Sequence, residues 1–415
     1  MGLTVRLVRK IGRNIWLCLI DFGKNGLANH AAAGAYGFLL SLMPAMLVTA
    51  SFFSAVFPHQ KIANLFEEIL GFSQNSFDIE ETILRFLKHF NTGLISAFSI
   101  ASILWAAIVL AFSIQRGLNS VFVDKKPINT LKNWLIPLCL ELVVIAAVIA
   151  FALSAYLVHG LVERRLFDVL CFAGLGVLIF GIYCAVPNSP PKWKPALFGA
   201  SLCIVSYAFI LTFFNIFINP ERYYLIYGKL GALIGLLAKA YLFFLLFFIG
   251  AQFAFTVEFL DALLFTKLIA VNMSGENGRK PLFIEKFLFS SIEGRLWKYR
   301  CSYEKGETIF LKGENSNAIF YILSGEVGAY LTADNKVASI AERNFFGEMG
   351  HVLSSIRSAT IKAETDLVAM ALPPALFNIA LQIDQNTDAK IIEMLSKRLQ
   401  DANKKLLKLD GGVDE

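Results

Sequence analysis

The densest grouping of residue types able to do chemistry stands between residues 346 and 360: Phe346, Gly347, Glu348 and Met349, then Arg357, Ser358, Ala359 and Thr360. A guanidinium presents a rigid fork of donors, so Arg357 is suited to a phosphate monoanion. Ser358 and the backbone amides after Phe346 can satisfy other phosphate oxygens, while Glu348 is an acceptor for a sugar hydroxyl. Charge-assisted hydrogen bonds are worth about 1.5–3 kcal/mol each, which makes Arg357 the largest single polar contribution. This is binding chemistry. No nucleophile-base pair and no phosphate loop is evident, so no enzymatic activity is expected. The five histidines (His30, His59, His89, His159, His351) show no metal-ligand spacing, and His351 is expected on a helix surface. The six cysteines include no CxxC pair and mostly sit in apolar runs, so neither metal nor disulfides are expected.

The elements that must position these residues belong to two solvents. The chain of 415 residues is 56% hydrophobic and 17% charged, against about 25% charged in an ordinary soluble domain. Residues 1–270 hold 20 Lys/Arg and 13 Asp/Glu, whereas residues 271–415 hold 18 and 19. The first part therefore has a membrane composition and the second that of a water-soluble domain. Runs of about 20 apolar residues, enough to cross a core of about 30 Å, occur at 31–57, 94–118, 134–158, 166–186, 196–218 and 230–253. Six membrane spans are expected.

Arg6, Arg9, Lys10, Arg13 and Lys24 before the first run, Arg116, Lys125, Lys126 and Lys132 after the second, and Lys192 and Lys194 after the fourth should be cytoplasmic. Both termini then face the cytoplasm, and the basic excess is an orientation signal rather than a nucleic-acid surface. No cleavable signal peptide is expected, because residues 1–30 lack an apolar core followed by a small-residue cleavage site. Alternating basic and apolar residues from Val5 to Leu17 suit a helix lying in the headgroup layer, although a helix packed on the protein would read the same way. In the first outer connection, apolar stripes starting at Ile62 and Ile79 predict two short amphipathic helices.

Ionisable residues inside spans cost on the order of 3 kcal/mol or more unless paired or wetted. Glu141 in the third span and Lys239 in the sixth are expected at similar depth, close enough to pair across the bundle. Pro44, after Gly34 and Gly37, could kink the first span and line a cavity.

After the sixth span, residues 261–271 continue as a helix and residues 272–278 read as a flexible linker. From Glu304 short strands at 308–312, 318–324, 327–332 and 337–341, punctuated by Gly306, Gly313 and Gly325, describe a small β-barrel or sandwich. A last helix is expected from Asp388 to about Lys408.

Two resemblances sharpen these expectations. Ala31-Ala32-Ala33-Gly34-Ala35-Tyr36-Gly37-Phe38-Leu39-Leu40-Ser41-Leu42-Met43-Pro44 resembles the first-span signature of the YihY/BrkB inner-membrane family. Gln115-Arg116-Gly117-Leu118-Asn119 and Tyr227-Gly228 through Gly250-Ala251 lie where that family places its other signatures. The resemblance covers roughly residues 10–260, and implies a six-helix fold in a bacterial inner membrane and movement of a lipid-like or envelope component. Two departures are Gln252, where glutamate commonly follows Gly-Ala, and Lys239, where an aromatic is common. Pro44, Asn119, Tyr227, Lys239, Gln252 and Glu141 are accordingly the membrane-domain candidates. An older label for the family, ribonuclease BN, finds no support in the histidine pattern.

The stretch from Phe346 to Thr360 closely resembles the phosphate-binding cassette of cyclic-nucleotide-binding domains, with Glu304-Lys305-Gly306-Glu307 and Ile322-Leu323-Ser324-Gly325 fitting the same framework. This resemblance covers about residues 283–405. It implies cAMP or cGMP as a regulatory ligand, with Arg357 on the cyclic phosphate, Glu348 on the ribose and Asn403 in the last helix near the base. Ile356 stands where proline is common.

The expected organisation is an N-terminal interfacial helix (1–30), a six-helix transmembrane domain (31–260), a linker (261–281) and a cytoplasmic sensor (282–415). The expected function is transport of an amphipathic, lipid-like or envelope substrate, gated by the nucleotide. Its partners would be membrane lipids and the nucleotide, not nucleic acid, with assembly into a homo-oligomer left open. A cyclic-nucleotide-gated ion channel is the rival reading, weakened by the lack of an arginine-repeat voltage sensor and of a Thr-Val-Gly-Tyr-Gly-like filter. A non-transporting receptor or scaffold is the third. The few residues after the last expected helix leave no room for a helix-turn-helix domain.

Overall fold

The computed structural model describes residues 2–54, 93–122, 164–217, 229–273 and 296–383, apart from 316, 333–334 and 353–354, together with the single positions 135 and 396. Those two positions aside, the expected third span, the outer-connection helices and the final helix lie outside the described residues, and with them Glu141, Tyr227 and Asn403. Residues 15–258 form one compact unit, and residues 1–14 with 259–415 form another.

In the chain order, α1 (Gly2–Lys24) is followed by α2 (Leu27–Ser54), α3 (Gly93–Val121), α4 (Arg164–Ala185), α5 (Trp193–Phe217) and α6 (Lys229–Glu258). Helices thus occupy five of the six expected runs. Among the described residues, two stretches are long and apolar enough to cross a membrane, Trp193–Phe213 and Leu233–Glu258. On α5 the exposed Phe198, Val205 and Phe209 recur at i, i+7 and i+11, an apolar outward stripe suited to acyl chains.

Helices in an apolar solvent gain little from the hydrophobic effect and associate through close packing, which small residues permit. Gly37 on α2 lies against the α3 backbone, where an added Cβ would be 3.1 Å from the Leu110 Cα. Gly34 faces the Phe244 ring of α6 at 2.9 Å, and Gly117 on α3 sits under Phe248. The four consecutive-turn aromatics Phe243, Phe244, Phe247 and Phe248 then fill the centre with Tyr183 of α4, whose ring lies 5.1 Å from that of Phe247. α1 is partly drawn into this packing: Leu17 and Cys18 are buried, while Ile15 and Leu19 on its other face are exposed.

The second unit contains α7 (Leu260–Met273), a 3₁₀ turn (Trp297–Tyr299) and eight strands: β1 (Arg300–Tyr303), β2 (Thr308–Phe310), β3 (Ile319–Ser324), β4 (Val327–Thr332), β5 (Asn335–Ile340), β6 (Phe345–Phe346), β7 (Thr360–Ala363) and β8 (Leu367–Leu372). Helix α8 (Glu348–Val352) lies between β6 and β7, and α9 (Pro374–Ile383) follows β8. The strands form two antiparallel sheets, ordered β1-β8-β3-β6 and β2-β7-β4-β5. Their shared core is Phe310, Phe320, Ile322, Val327, Phe346, Ile361, Leu367 and Ala369.

The corner between β3 and β4 turns on Gly325 at φ +97, where an added Cβ would meet the Asp366 carbonyl oxygen at 2.5 Å. Strand β3 is buried at Ile319, Phe320, Tyr321 and Ile322 alike, so both of its faces are covered. Phe320 and Ile322 face the other sheet, while Tyr321 faces Phe265 of α7 at 5.9 Å and Phe345 at 5.0 Å.

Candidate functional site

The site is built where β6 ends. Phe345 and Phe346 pair with Tyr321 and Phe320 of β3, and the chain then turns at Gly347, with φ +76, into α8. The turn puts Glu348 at the start of α8, 1% exposed, and brings the backbone back to Arg357, 5% exposed, just before β7. The return is pinned from a third segment: the Arg357 amide donates to the Glu314 carbonyl at 2.9 Å and the Gly313 amide to the Arg357 carbonyl at 2.9 Å.

Arg357 is held in one pose. Its Nη1 donates to the Gly347 carbonyl at 2.5 Å and its Nη2 to the Ala318 carbonyl at 2.6 Å. The guanidinium carbon lies 4.0 Å from the centre of the Phe310 ring. Phe310 in turn packs on Phe320 and Phe346, whose parallel rings are 4.8 Å apart. A planar cation on an aromatic stack with two fixed acceptors loses little further freedom on binding a ligand.

Among the described residues its Nε has no hydrogen-bond partner. Burial pulls the guanidinium below its ordinary range, and the carboxylates of Glu314 and Glu348 offset part of that. A buried, incompletely satisfied cation is the electrostatic requirement for an anion site.

Thr360 is already engaged, its Oγ1 accepting from the Lys312 amide at 3.0 Å, while Ala359 packs on the core. Met349 and Ser358 are exposed. The structure therefore brings Phe346, Gly347, Glu348 and Arg357 together, while Ala359 and Thr360 follow in the chain as it enters β7.

Reading the sequence missed Phe310, the Ala318 carbonyl and Glu314, because they reach the site only through the pairing of β2 with β7 and the loop after β2. It also missed Asn378 of α9, whose Oδ1 lies 2.9 Å from the His351 Nε2 of α8. His351 sits at the cassette surface and joins it to the helix that follows the barrel.

Gly347→Ala is expected to cut ligand affinity while the sensor still folds. The added Cβ would stand 2.5 Å from the Arg357 Nη1 at a left-handed φ, costing on the order of 1 kcal/mol or more. Titration calorimetry with a melting curve checks both halves of that result.

Of the membrane-domain candidates, Pro44 lies within α2, which runs unbroken from Leu27 to Ser54. Asn119 accepts at Oδ1 from the Asn188 amide at 3.0 Å, tying the end of α3 to the connection after α4. Lys239 is on α6 and half-buried. Gln252, fully buried, accepts at Oε1 from Asn25 Nδ2 at 3.1 Å. Among the described candidates, Asn119 and Gln252 thus stand in separate contacts. Among the described residues no group of three or more His, Cys, Asp or Glu could hold a metal ion.

Comparison with known proteins agrees with this division. Residues 19–262 match the virulence factor BrkB family. The chain belongs to that family. Residues 300–384 match the cyclic nucleotide-binding domain, so the BrkB unit is fused to a domain of that type. A UPF0761 membrane protein, NTHI0384, of Haemophilus influenzae is 27% identical over 252 residues, which are 57% of this chain and 92% of the relative. A second UPF0761 membrane protein, from Psychromonas ingrahamii, is 28% identical over 240 residues, 54% of this chain and 80% of its own. The protein is accordingly a membrane protein.

The catabolite activator protein of Thermus thermophilus is 24% identical, with 28% of this chain and 58% of that one covered and a TM-score of 0.25. The chain therefore spans less than two thirds of that structure.

Proposed function

We propose that this BrkB-family protein is a multi-pass, six-helix protein of the bacterial inner membrane that moves a lipid-like or envelope substrate. In this reading both termini are cytoplasmic, and cAMP or cGMP bound at Arg357 sets the transport rate. The observation that carries the regulatory part is a continuous run of aromatic contacts leading away from the cassette. Phe345, one residue before Phe346, lies 6.2 Å from Phe265 of α7 and 5.6 Å from Phe377 of α9. Phe377 in turn meets His351 of α8. Helix α7 begins at Leu260, two residues after α6 ends at Glu258, so a cassette that shifts on ligand binding acts on the helix leading out of the last span.

The fully buried Gln252 and its bond to Asn25 favour a polar role for this end of the bundle, since a buried amide hydrogen bond contributes about 0.5–1.5 kcal/mol and its loss costs more. Glu141 and Lys239 are retained as a pair to be tested together by Glu141→Gln and Lys239→Gln.

The test is flux of a fluorescent phospholipid in proteoliposomes of the full chain, with and without cAMP or cGMP. Nucleotide is expected to change the rate in the native protein and not in Arg357→Lys. Absence of flux in the native protein would end the transport reading, flux that nucleotide leaves unchanged would end the regulatory one, and nucleotide-dependent current in planar bilayers would replace transport with the channel. Phe265→Leu is expected to leave nucleotide affinity unaltered while reducing the nucleotide effect on flux, by up to the roughly 5–150-fold that site-to-site coupling supports.

A further inference from the structure

The turn that opens the β-domain carries an exposed amphipathic group that the nucleotide site does not use. Trp297 is 58% exposed, and Arg300, also exposed, has its guanidinium carbon 4.4 Å from the centre of the tryptophan ring. Leu296, beside them, is buried and anchors the turn. The position of this pair is fixed by the next two residues: Lys298 Nζ lies 2.5 Å from Asp261 Oδ2, and Tyr299 Oη donates to the same oxygen at 3.3 Å.

Asp261 is the second residue of α7, three residues after Glu258, where the apolar stretch Leu233–Glu258 ends. Three residues of chain reach at most about 11 Å, and the polar layer on each side of a bilayer is about 5–8 Å deep. The chain connection therefore keeps Asp261, and the turn fastened to it by Lys298 and Tyr299, within reach of the headgroup layer.

A tryptophan with a guanidinium stacked on it fits that layer in both respects: the indole prefers the interface, and the cation meets phosphate. Lys298 is committed to Asp261, so Arg300 is the cation free to take a phosphate oxygen.

We infer that Trp297 and Arg300 dock the nucleotide-sensing unit on the bilayer by binding the headgroups of anionic phospholipids. The inference rests on the reading of Leu233–Glu258 as a membrane span. The occupant is a lipid headgroup rather than a free anion, because the chain connection from Glu258 to Asp261 keeps the pair within reach of the bilayer surface.

The test uses the full chain in nanodiscs of phosphatidylcholine alone or mixed with phosphatidylglycerol, with lipids brominated near the headgroup. Quenching of tryptophan fluorescence is compared between the native chain and Trp297→Phe, so that the difference reports Trp297. Trp297 is expected to be quenched only in the anionic discs, with the effect lost at high salt and about fivefold weaker in Arg300→Gln, the value of one cation near a charged surface.

The other tryptophans are expected to be quenched in both discs. If they are quenched and the Trp297 difference is absent, the docking inference is overturned while the span stands. If none is quenched in either disc, the membrane reading itself fails. Release of Trp297 by inorganic phosphate but not by chloride of equal ionic strength would also overturn the inference, by making a free anion the ligand.

Discussion

Arg357→Lys is expected to weaken binding of cAMP or cGMP to the full chain by at least about a hundredfold, the equivalent of losing one to two charge-assisted hydrogen bonds. Lysine keeps the charge, so a merely electrostatic site would retain most of its affinity. What it loses is the planar fork, which here spans two carbonyls, Gly347 and Ala318, and lies flat on Phe310. An ammonium on a flexible stem cannot reproduce that placement. Titration calorimetry measures the effect, and a melting curve verifies that the β-domain persists. Arg357→Ala should add a loss of stability, because it leaves both carbonyls short of a donor inside a buried wall. Undiminished binding in Arg357→Lys would show that ligand is held elsewhere.

Gly250→Leu should prevent the helical unit from assembling. The backbones of α5 and α6 touch at Gly199 and Gly250. A Cβ added to Gly250 would fall 2.6 Å from the Gly199 carbonyl oxygen, 2.8 Å from Tyr183 Oη and 3.1 Å from the Cys203 Cβ. One added to Gly199 would meet the Gly250 carbonyl oxygen and, at 2.9 Å, the Ala254 Cβ. Overpacking usually costs about 1–3 kcal/mol because side chains yield. Here the first obstacle is backbone, so relief demands that two helices separate, and the cost exceeds that range. Gly174→Leu is the control, since nothing lies within 4 Å of the corresponding position on α4. The fraction of detergent-solubilised protein that elutes as a single species should collapse for Gly250→Leu and stay unchanged for Gly174→Leu. Equal behaviour of the two variants would refute the close α5–α6 contact.

The helical runs could be read because a long apolar stretch has few other uses, and α2 to α6 lie within a few residues of the runs at 31–57, 94–118, 166–186, 196–218 and 230–253. Strands β2 to β5 likewise follow the alternating stretches bounded by Gly313 and Gly325. Strand β8 left no clear pattern: Leu367, Ala369, Met370 and Leu372 are all buried, and a short continuous apolar run does not distinguish a strand from a helix. Phe310 and Asn378 were invisible as site residues for a different reason. Each is an ordinary residue whose importance comes from a neighbour 47 or 27 positions away in the chain, Arg357 and His351 respectively.

Residue order alone determined that an apolar half precedes a charged half, and that a glycine is followed at once by a carboxylate and, nine positions after it, by a guanidinium. These are local or compositional properties, and they survive without any knowledge of what packs on what. Tertiary structure decided how Arg357 is aimed, because its pose depends on a carbonyl from the edge of β3 and a ring from β2. It also decided that the segment after α6 covers the outer face of β3 through Phe265 instead of serving as plain spacer. A strand apolar on both faces demands some cover, but nothing in its own residues says which element supplies it; that choice is made only when distant parts of the chain compete to bury the same surface.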